Sequence, residues 1–345
     1  MAFTKITSLA DLIEPQVFLD YVQEQVSNTN AFIKSGVLGA DPVWGSRLLQ
    51  PGRTIDMPYI NDLPGDAEEW NDTKDINTES LTTGIGQAMK LFDDKSYSAT
   101  DFGQLVTGAP VRSQIISRFS EFWVRQDMKR LLNVLNATYA NADILTAKSY
   151  GVGTEKELSA GDFLAALARM GDMANPKLVK LAMNSSAYFE MRAQNLIDDI
   201  KPSEGGAPIS YYNGLQIIQD DDIPVAADGT TAAYAFAPGS VAYATANPAN
   251  AFVITRDEFK NGGVEAIIQK RVSAMQVIGT DIDTSVVSNI SGYRQAIEDG
   301  KPVFKVATDP RKLGIVKYGF KVASQFVIPT INSPKTESTD DDPKV

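Results

Sequence analysis

The chain has 345 residues, of which 43% are hydrophobic and 22% charged, and it carries a net charge of −11. It contains no cysteine and no histidine. These two absences exclude disulfides, thiolate nucleophiles, Ser-His-Asp and Cys-His catalysis, and histidine metal sites. The acidic balance also argues against a protein that binds nucleic acid mainly by neutralising phosphates. We therefore expect no metal and no cofactor.

No run of the sequence approaches the roughly 18 apolar residues of a membrane span. The first residues, from Met1 to Ile6, do not begin the long apolar stretch of a secretory signal. We therefore expect no membrane segment and no secretory signal.

Residues 1–50 contain short amphipathic pieces, at 11–15 and 17–22, followed by sequence rich in Ser, Asn and Gly. Their apolar content is too low for a core of their own. The sequence predicts an N-terminal arm that lies on another part of the assembly.

Residues 51–104 predict an extended hairpin. Residues 53–60 alternate like a strand, and residues 81–92 provide a returning partner. The connection between them has Lys74 as its single basic residue, and its acidic residues are Asp62, Asp66, Glu68, Glu69, Asp72, Asp75 and Glu79. Because an isolated two-stranded hairpin is marginally stable in water, we expect it to pack on its own body or on a neighbouring chain.

Residues 105–157 contain the strongest helical pattern. Apolar residues recur at three- and four-residue steps from Ile115 to Tyr139, and no Gly or Pro interrupts between Pro110 and Gly151. The pattern predicts one uninterrupted helix over 110–147, about 50–55 Å long at 1.5 Å per residue. A helix of that length suits a structural spine, and its charges are mostly basic.

Residues 158–246 predict an inserted unit of mixed helices and strands, and residues 247–334 predict returning strands and a helix before a polar tail over 335–345. Ser159 with Asp162 resembles a capping box that opens a helix over 163–173. Further helices are predicted over 186–196 and 285–297, and strands over 178–183, 215–218, 232–246, 251–254, 264–278 and 313–318.

The candidate sites for chemistry are weak. Asp220, Asp221 and Asp222 lack the glycine and the closing glutamate of a calcium loop, and we expect them to cap a turn. Glu68 and Glu69 could form a carboxylate pair, but a hairpin tip is a poor place for the rigid cleft of a glycosidase. We therefore expect no catalytic residue and no enzyme.

Two tryptophans invite different interpretations. Trp123 lies on the apolar face of the predicted spine and is expected in the core. Trp70 lies inside the acidic tip of the hairpin, where a large aromatic side chain is a candidate anchor for an intersubunit contact.

The order of these parts resembles the major capsid proteins of tailed bacteriophages, the Hong Kong 97-like fold that encapsulins share. In that family the parts are an N-terminal arm, an extended loop, a spine helix, an axial domain and a peripheral domain. Local sequence agrees over most of the chain: YNGLQII at 212–218 with DIP at 222–224, PGSVAYA at 238–244, LAMNSSAY at 181–188 and DPRKLGIV at 309–316. No single motif is specific to the family, and the resemblance rests on the order in which the motifs occur.

The resemblance implies an α+β capsid fold and a non-enzymatic protein that self-assembles from hexamers and pentamers into an icosahedral shell around double-stranded DNA. It implies a virion protein assembled in the host cytoplasm, without sequence-specific DNA binding and without a membrane. The short segment before the hairpin implies a separate scaffolding protein, and a portal is expected. The family's covalent crosslink joins Lys and Asn; only Lys74 finds a counterpart, so non-covalent association is expected.

Other functions remain open at this point. The leading alternative is an encapsulin-type cellular nanocompartment shell, and remoter ones are a surface-layer or adhesion protein and a carboxylate-based hydrolase. For the capsid function, the candidate intersubunit contacts pair an acidic tip with a basic spine. The tip residues are Asp66, Glu68, Glu69, Trp70 and Asp72, and the spine residues are Arg118, Arg125, Lys129 and Arg130.

Overall fold

The computed structural model describes residues 37–40, 42–60, 80, 83–107, 111–154, 156–171, 179–200, 209–287, 289–307 and 309–327. The predicted arm pieces at 11–22, the acidic hairpin tip and the polar tail lie outside the described residues.

The described part of the chain alternates helices and strands. The helices are α1 (Pro42–Leu48), α2 (Asp101–Thr107), α3 (Val111–Tyr139), α4 (Ala142–Lys148), α5 (Ala160–Ala168), α6 (Ser185–Ala193) and α7 (Ile290–Glu298). The first eight strands are β1 (Leu38–Ala40), β2 (Thr54–Ile60), β3 (Thr83–Met89), β4 (Leu91–Thr100), β5 (Ser149–Tyr150), β6 (Lys180–Met183), β7 (Asp198–Ile200) and β8 (Ile209–Tyr212). The remaining strands are β9 (Leu215–Gln219), β10 (Thr230–Phe236), β11 (Val241–Ala246), β12 (Phe252–Asp257), β13 (Val264–Val277), β14 (Thr280–Ile282), β15 (Phe304–Val306) and β16 (Ile315–Lys321).

Two large sheets organise the fold. A seven-stranded sheet has the order β5-β16-β10-β6-β9-β8-β7. A five-stranded sheet has the order β1-β11-β13-β12, with β4 also paired to β13. The long strand β13 is the backbone of this second sheet, because it pairs with β11, β12 and β4 at once.

The long helix α3 lies at the centre of the main core. Its Leu131, Val134 and Leu135 are fully buried in one cluster with Phe236 of the seven-stranded sheet and Val277 of the five-stranded sheet. The opposite face of the seven-stranded sheet forms a second cluster against α5 and α6. The helix therefore fixes the two sheets relative to one another by apolar burial on both.

The prediction of an uninterrupted helix over 110–147 is wrong, because the helix breaks at residues 140–141. Helix α3 has 29 residues and ends at Tyr139, a length of about 44 Å at 1.5 Å per residue. Asn141 starts a new helix, because its side chain accepts a hydrogen bond from the Asp143 N–H at 3.0 Å. Its amide also donates to the Phe304 carbonyl at 3.1 Å, which fixes the break in place.

The predicted capping box at Ser159 is also wrong. Ser159 precedes α5, but its side chain makes no capping hydrogen bond. The Asp162 carboxylate instead accepts a hydrogen bond from the Tyr150 hydroxyl at 2.9 Å. The prediction of a helix there is confirmed, although it covers Ala160–Ala168 and not 163–173.

The strands do not follow the predicted division of the chain at 246. Strand β11, before that boundary, pairs with β13 of the five-stranded sheet. Strand β16, after that boundary, pairs with β10 of the seven-stranded sheet. Each sheet therefore draws strands from both sides of residue 246.

The hairpin prediction is confirmed for the part the structure describes. Strands β2 and β3 pair antiparallel from Thr54↔Met89 to Ile60↔Thr83. The returning strand ends at Met89 and not at Phe92, because Leu91 already belongs to β4 and pairs with Ser273. The hairpin is therefore connected directly to β4, which pairs with β13 in the five-stranded sheet.

Candidate assembly surfaces

The base of the hairpin is held on the body of its own chain. Ile55 and Ala88 are each 1% exposed and lie in a cluster with Trp44 of α1. On the strand edge, the Gln87 N–H donates to the Asp281 carboxylate at 2.8 Å. Two residues further along the hairpin, the Ile85 side chain is 62% exposed.

An exposed apolar surface lies at the end of the five-stranded sheet where β4 ends. Helix α2 follows β4, and its Phe102, Leu105 and Val106 are 59%, 82% and 54% exposed. Phe259, in the turn between β12 and β13, is fully exposed. An ion pair of Asp101 with Arg256 joins α2 to the end of β12, next to that turn. We call Phe102, Leu105, Val106 and Phe259 the apolar tip.

Single exposed apolar residues are ordinary on a soluble protein, but a contiguous group marks an interaction site. The ion pair at Asp101 and a backbone hydrogen bond from the Asp101 N–H to the Gly263 carbonyl at 3.0 Å hold α2 against the turn. The apolar tip is therefore held in place at this end of the sheet. The described part of the chain leaves its side chains exposed to solvent.

A buried ion cluster ties the spine to the five-stranded sheet. Asp93 of β4 accepts two hydrogen bonds from Arg130 of α3, both at 2.9 Å, and also contacts Arg294 of α7. Asp127 of α3 pairs with Arg271 of β13, with one N–O distance of 2.9 Å. We call Asp93, Asp127, Arg130, Arg271 and Arg294 the ion cluster.

The surroundings of the ion cluster set its charge states. Burial raises the pKa of Asp93, but the Arg130 hydrogen bonds and the nearby guanidinium charges outweigh burial and leave that pKa below its usual value. Burial and the adjacent Asp127 carboxylate raise the pKa of Tyr243, whose hydroxyl donates to Asp127 at 2.5 Å. The cluster therefore holds two carboxylates and a neutral phenol against three guanidinium groups.

Of the four basic spine residues proposed as contacts, Arg130 is not exposed for docking. Its side chain is 14% exposed and is committed to Asp93. Burial shields this pair, so Arg130 acts as an internal brace of the chain. The candidate intersubunit contact at Arg130 therefore needs correction. Helical periodicity placed this residue on the spine but could not show that its side of the helix faces β4.

The other three spine residues do not share one environment. Lys129 is exposed, whereas Arg118 and Arg125 are half-buried. The Arg125 charge acts on Asp222, whose pKa is nonetheless raised, mainly by burial and then by Asp221. The acidic partners Asp66, Glu68, Glu69 and Asp72, and the proposed anchor Trp70, lie outside the described residues.

Trp123 is 8% exposed, so its prediction as a core residue is confirmed. The Arg271 guanidinium stacks over its ring, 4.3 Å from the centroid. The prediction of a turn cap is confirmed for Asp220, which accepts from the Asp222 N–H at 2.8 Å, whereas Asp221 accepts from the Ser185 N–H at the start of α6 at 3.2 Å.

Three cavities lined by described residues carry no paired carboxylates. A cavity of about 430 Å³ between α4 and α5 is lined by Asp162, Lys156 and Arg169, among others. Asp162 is its one carboxylate, whereas glycoside hydrolysis requires two. Across the described ranges, no group of three or more acidic residues is arranged to hold a metal ion. No helix in the described part of the chain is long and apolar enough to cross a membrane.

Comparison with known proteins gives a consistent result. No protein-family model matches the chain. The chain is 27% identical over 325 residues to the major capsid protein of Bacillus phage SPP1, a match that covers 92% of this chain and 98% of that protein. Among solved structures, the capsid of Ralstonia phage GP4 superimposes with a TM-score of 0.53 at 11% identity, covering 84% of this chain and 88% of that one. The chain has the fold of phage capsid subunits.

A second solved structure agrees with this assignment. The capsid subunit of cyanophage Pam1 matches with a TM-score of 0.51 at 12% identity, covering 81% of this chain and 87% of that one. The resemblance to phage capsid proteins predicted from the order of the parts is confirmed, as is the α+β capsid fold.

Sequence reasoning missed several residues of these surfaces. Asp93 and Arg294 lie far apart in the chain, and no periodic pattern connects them to Arg130. The apolar tip was missed because Phe102 and Leu105 belong to a short helix, and Phe259 to a turn. One signal was available: Phe259 lies in a polar run (Asp257, Glu258 and Lys260), where a core phenylalanine is unexpected.

Proposed function

We propose that the chain is the major capsid protein of a phage and that many copies assemble into a closed shell around double-stranded DNA. The observation that carries this proposal is the match to the SPP1 major capsid protein, because it extends over nearly the full length of both chains. A match of that extent includes the hairpin, the spine and both sheets. A capsid subunit has a structural role, which accords with the single carboxylate in the cavity beside α5.

The exposed surfaces support assembly from identical copies. Ile85 of the hairpin and the apolar tip lie at different parts of the fold, and both are exposed on the described part of the chain. Two different surfaces on one subunit permit heterologous contacts, which close into rings. Apolar burial would supply the affinity, since exposed ion pairs contribute only about 0.2–1 kcal/mol each.

The remaining parts of the proposal concern partners. A separate scaffolding protein would direct assembly, a portal would occupy one vertex, and the virion would be assembled in the host cytoplasm. The net charge of −11 favours a wall to which packaged DNA adheres weakly. The acidic tip, with Trp70 as an anchor, would contact the spine of an adjacent copy near Arg118, Arg125 and Lys129. The part of the arm before β1 would lie along neighbouring subunits, because β1 and α1 pack on the body of their own chain.

Electron microscopy of the expressed chain, with and without a co-expressed scaffolding protein, tests the proposal. We expect curved shells or rings of five and six subunits. A monodisperse monomer under both conditions would contradict the proposed function. The contents of particles purified from cells that produce the whole virus separate the two shell functions: a packaged genome supports the capsid, and an enzyme cargo supports a nanocompartment.

A further inference from the structure

An open cavity lies beside β5, at the edge of the seven-stranded sheet. Its volume of about 430 Å³ falls within the range of roughly 300–1,000 Å³ that is typical of sites for small ligands. Tyr150 of β5 and Tyr318 of β16 contribute aromatic rings to its lining, with centroids 6.3 Å apart. None of its described lining residues belongs to the hairpin, the apolar tip or the ion cluster, so the proposed function leaves this cavity unused.

The Arg169 guanidinium is fixed at the cavity by contacts within the chain. Its Nη1 donates to the Thr146 carbonyl at 2.8 Å and to the Ser149 carbonyl, and the group lies over the Tyr150 ring, 5.5 Å from the centroid. The Arg169 carbonyl accepts from the buried Lys148 ammonium at 3.0 Å. Its Nε and Nη2 make no hydrogen bond to a described residue. Because the guanidinium is already held, little conformational entropy would be lost when an anion binds to these two atoms.

The Asp162 carboxylate is held beside the same tyrosine. Its Oδ1 accepts a hydrogen bond from the Tyr150 hydroxyl at 2.9 Å. That hydrogen bond raises the pKa of Tyr150, so the phenol stays neutral and continues to donate. The other carboxylate oxygen, Oδ2, accepts no hydrogen bond from a described residue. Asp162 therefore keeps an oriented acceptor for a donor on a ligand.

Lys156 adds a second cation to the cavity. Its side chain is exposed and forms no ion pair with a described residue. The described lining therefore carries two positive charges and one negative charge. An anion that bound through charge alone would be opposed by Asp162. A complementary ligand needs an anionic group for Arg169 and Lys156 and hydrogen-bond donors for the carboxylate.

A phosphorylated sugar has both features. The planar guanidinium matches the geometry of phosphate oxygens. Carboxylates in nucleotide sites accept hydrogen bonds from sugar hydroxyls. We infer that this cavity binds a phosphorylated pentose, either as a free sugar phosphate or as part of a ribonucleotide. The phosphate contacts Arg169 and Lys156, and the sugar hydroxyls donate to Asp162. This inference goes beyond the proposed function and does not depend on it.

Isothermal titration calorimetry of the purified full-length protein tests the ligand class. The probes are ribose 5-phosphate, adenosine monophosphate, inorganic phosphate and ribose. We expect ribose 5-phosphate to bind with a Kd below about 1 mM, and inorganic phosphate and ribose to bind at least about tenfold more weakly. Tighter binding of adenosine monophosphate than of ribose 5-phosphate would identify a ribonucleotide, and equal or weaker binding a free sugar phosphate. Inorganic phosphate that binds as tightly as ribose 5-phosphate, or absence of binding by both sugar phosphates, would overturn the inference.

Two substitutions separate this site from a general anion site. Lys156→Gln should weaken the binding of ribose 5-phosphate by about tenfold, whereas Lys270→Gln, at another exposed lysine, should leave it unchanged.

Asp162→Asn keeps an acceptor for the Tyr150 hydroxyl but replaces the free carboxylate oxygen with a donor. It should also weaken ribose 5-phosphate by about tenfold without weakening inorganic phosphate. Asp94→Asn, at an exposed aspartate of β4, is its control. If Asp162→Asn instead tightened the binding of ribose 5-phosphate, the carboxylate would only repel an anion and the inference would be wrong.

Discussion

Asp93 of β4 and Arg130 of α3 form a bidentate ion pair, with both N–O distances at 2.9 Å. The pair joins the spine helix to the five-stranded sheet, and Arg271 and Arg294 approach the same carboxylate. Removing Asp93 would leave Arg130 and Arg294 without their carboxylate partner and Arg271 with Asp127 alone. We expect Asp93→Ala to lower the free energy of unfolding by about 3–5 kcal/mol, as measured by denaturant titration.

Asp94→Ala is the matched control, because Asp94 is the next residue on β4 and is exposed. It should change stability by less than about 0.5 kcal/mol. The pKa of Asp93 is lowered in the folded state, so its contribution is present above the ordinary carboxyl pKa of about 4 and is lost as the pH falls through the folded value. If the two variants were equally stable at neutral pH, the ion cluster would not brace the fold.

At the Asp220 carboxyl, the change of folding stability with pH is expected to have the opposite sign to that at Asp93. Burial, with the neighbouring Asp222 and Asp221, raises its pKa to about 6. Between about pH 4 and 6 the folded state therefore binds more protons at this site than the unfolded state, and stability falls as the pH rises. Asp220→Asn should remove this loss and keep the acceptor for the Asp222 N–H. The variant should gain stability over the wild type as the pH rises from about 4 to 7.

Thermal unfolding of the two proteins at several pH values measures that difference. Asp221→Asn serves as a comparison, since Asp221 lies in the same turn and is exposed. A difference between wild type and Asp220→Asn that stays constant with pH would refute the role of Asp220.

Gly151 follows β5, at a point where the backbone passes close to β16. Its φ is +75°, and a Cβ there would lie 2.3 Å from the Gly319 carbonyl oxygen. Gly153 has a similar φ of +81° but open space around its Cα. Both alanine substitutions carry the backbone cost of positive φ, and only Gly151→Ala adds a clash with backbone. We expect Gly151→Ala to be about 1–3 kcal/mol less stable than Gly153→Ala in chemical denaturation. Equal stability of the two variants would show that the loop moves away from β16 freely.

Substitutions in the apolar tip are expected to impair assembly of the shell without affecting the folding of the subunit. Phe259→Ser and Leu105→Ser replace side chains that are fully exposed and 82% exposed. Each should change subunit stability by less than about 0.5 kcal/mol and should reduce shell formation strongly. Light scattering during assembly, compared with unfolding of the isolated subunit, measures both. Leu164→Ser on α5 is the control, since Leu164 is 52% exposed at a different surface. Normal shells from the Phe259→Ser variant would exclude this residue from the interface.

The sequence predicted the parts of this fold better than their junctions. The hairpin strands, the spine and the strands around residues 180, 216 and 270 follow from local periodicity, which requires only near neighbours. The end of α3 at Tyr139 was missed because Asn141 caps the next helix by contacts with Asp143 and Phe304, and the second of these is not local. The ion cluster was missed for the same reason: Asp93, Arg130 and Arg294 meet only after the sheet and both helices have packed.

A cryo-electron microscopy reconstruction of the assembled particle would show whether the hairpin packs on a second copy of the chain. We expect a closed icosahedral shell in which the hairpin beyond Gln87 lies across a neighbouring subunit, with its acidic segment near Lys129 of the spine. A particle in which each hairpin folds back over its own subunit, or an open sheet without five- and six-membered rings, would contradict it.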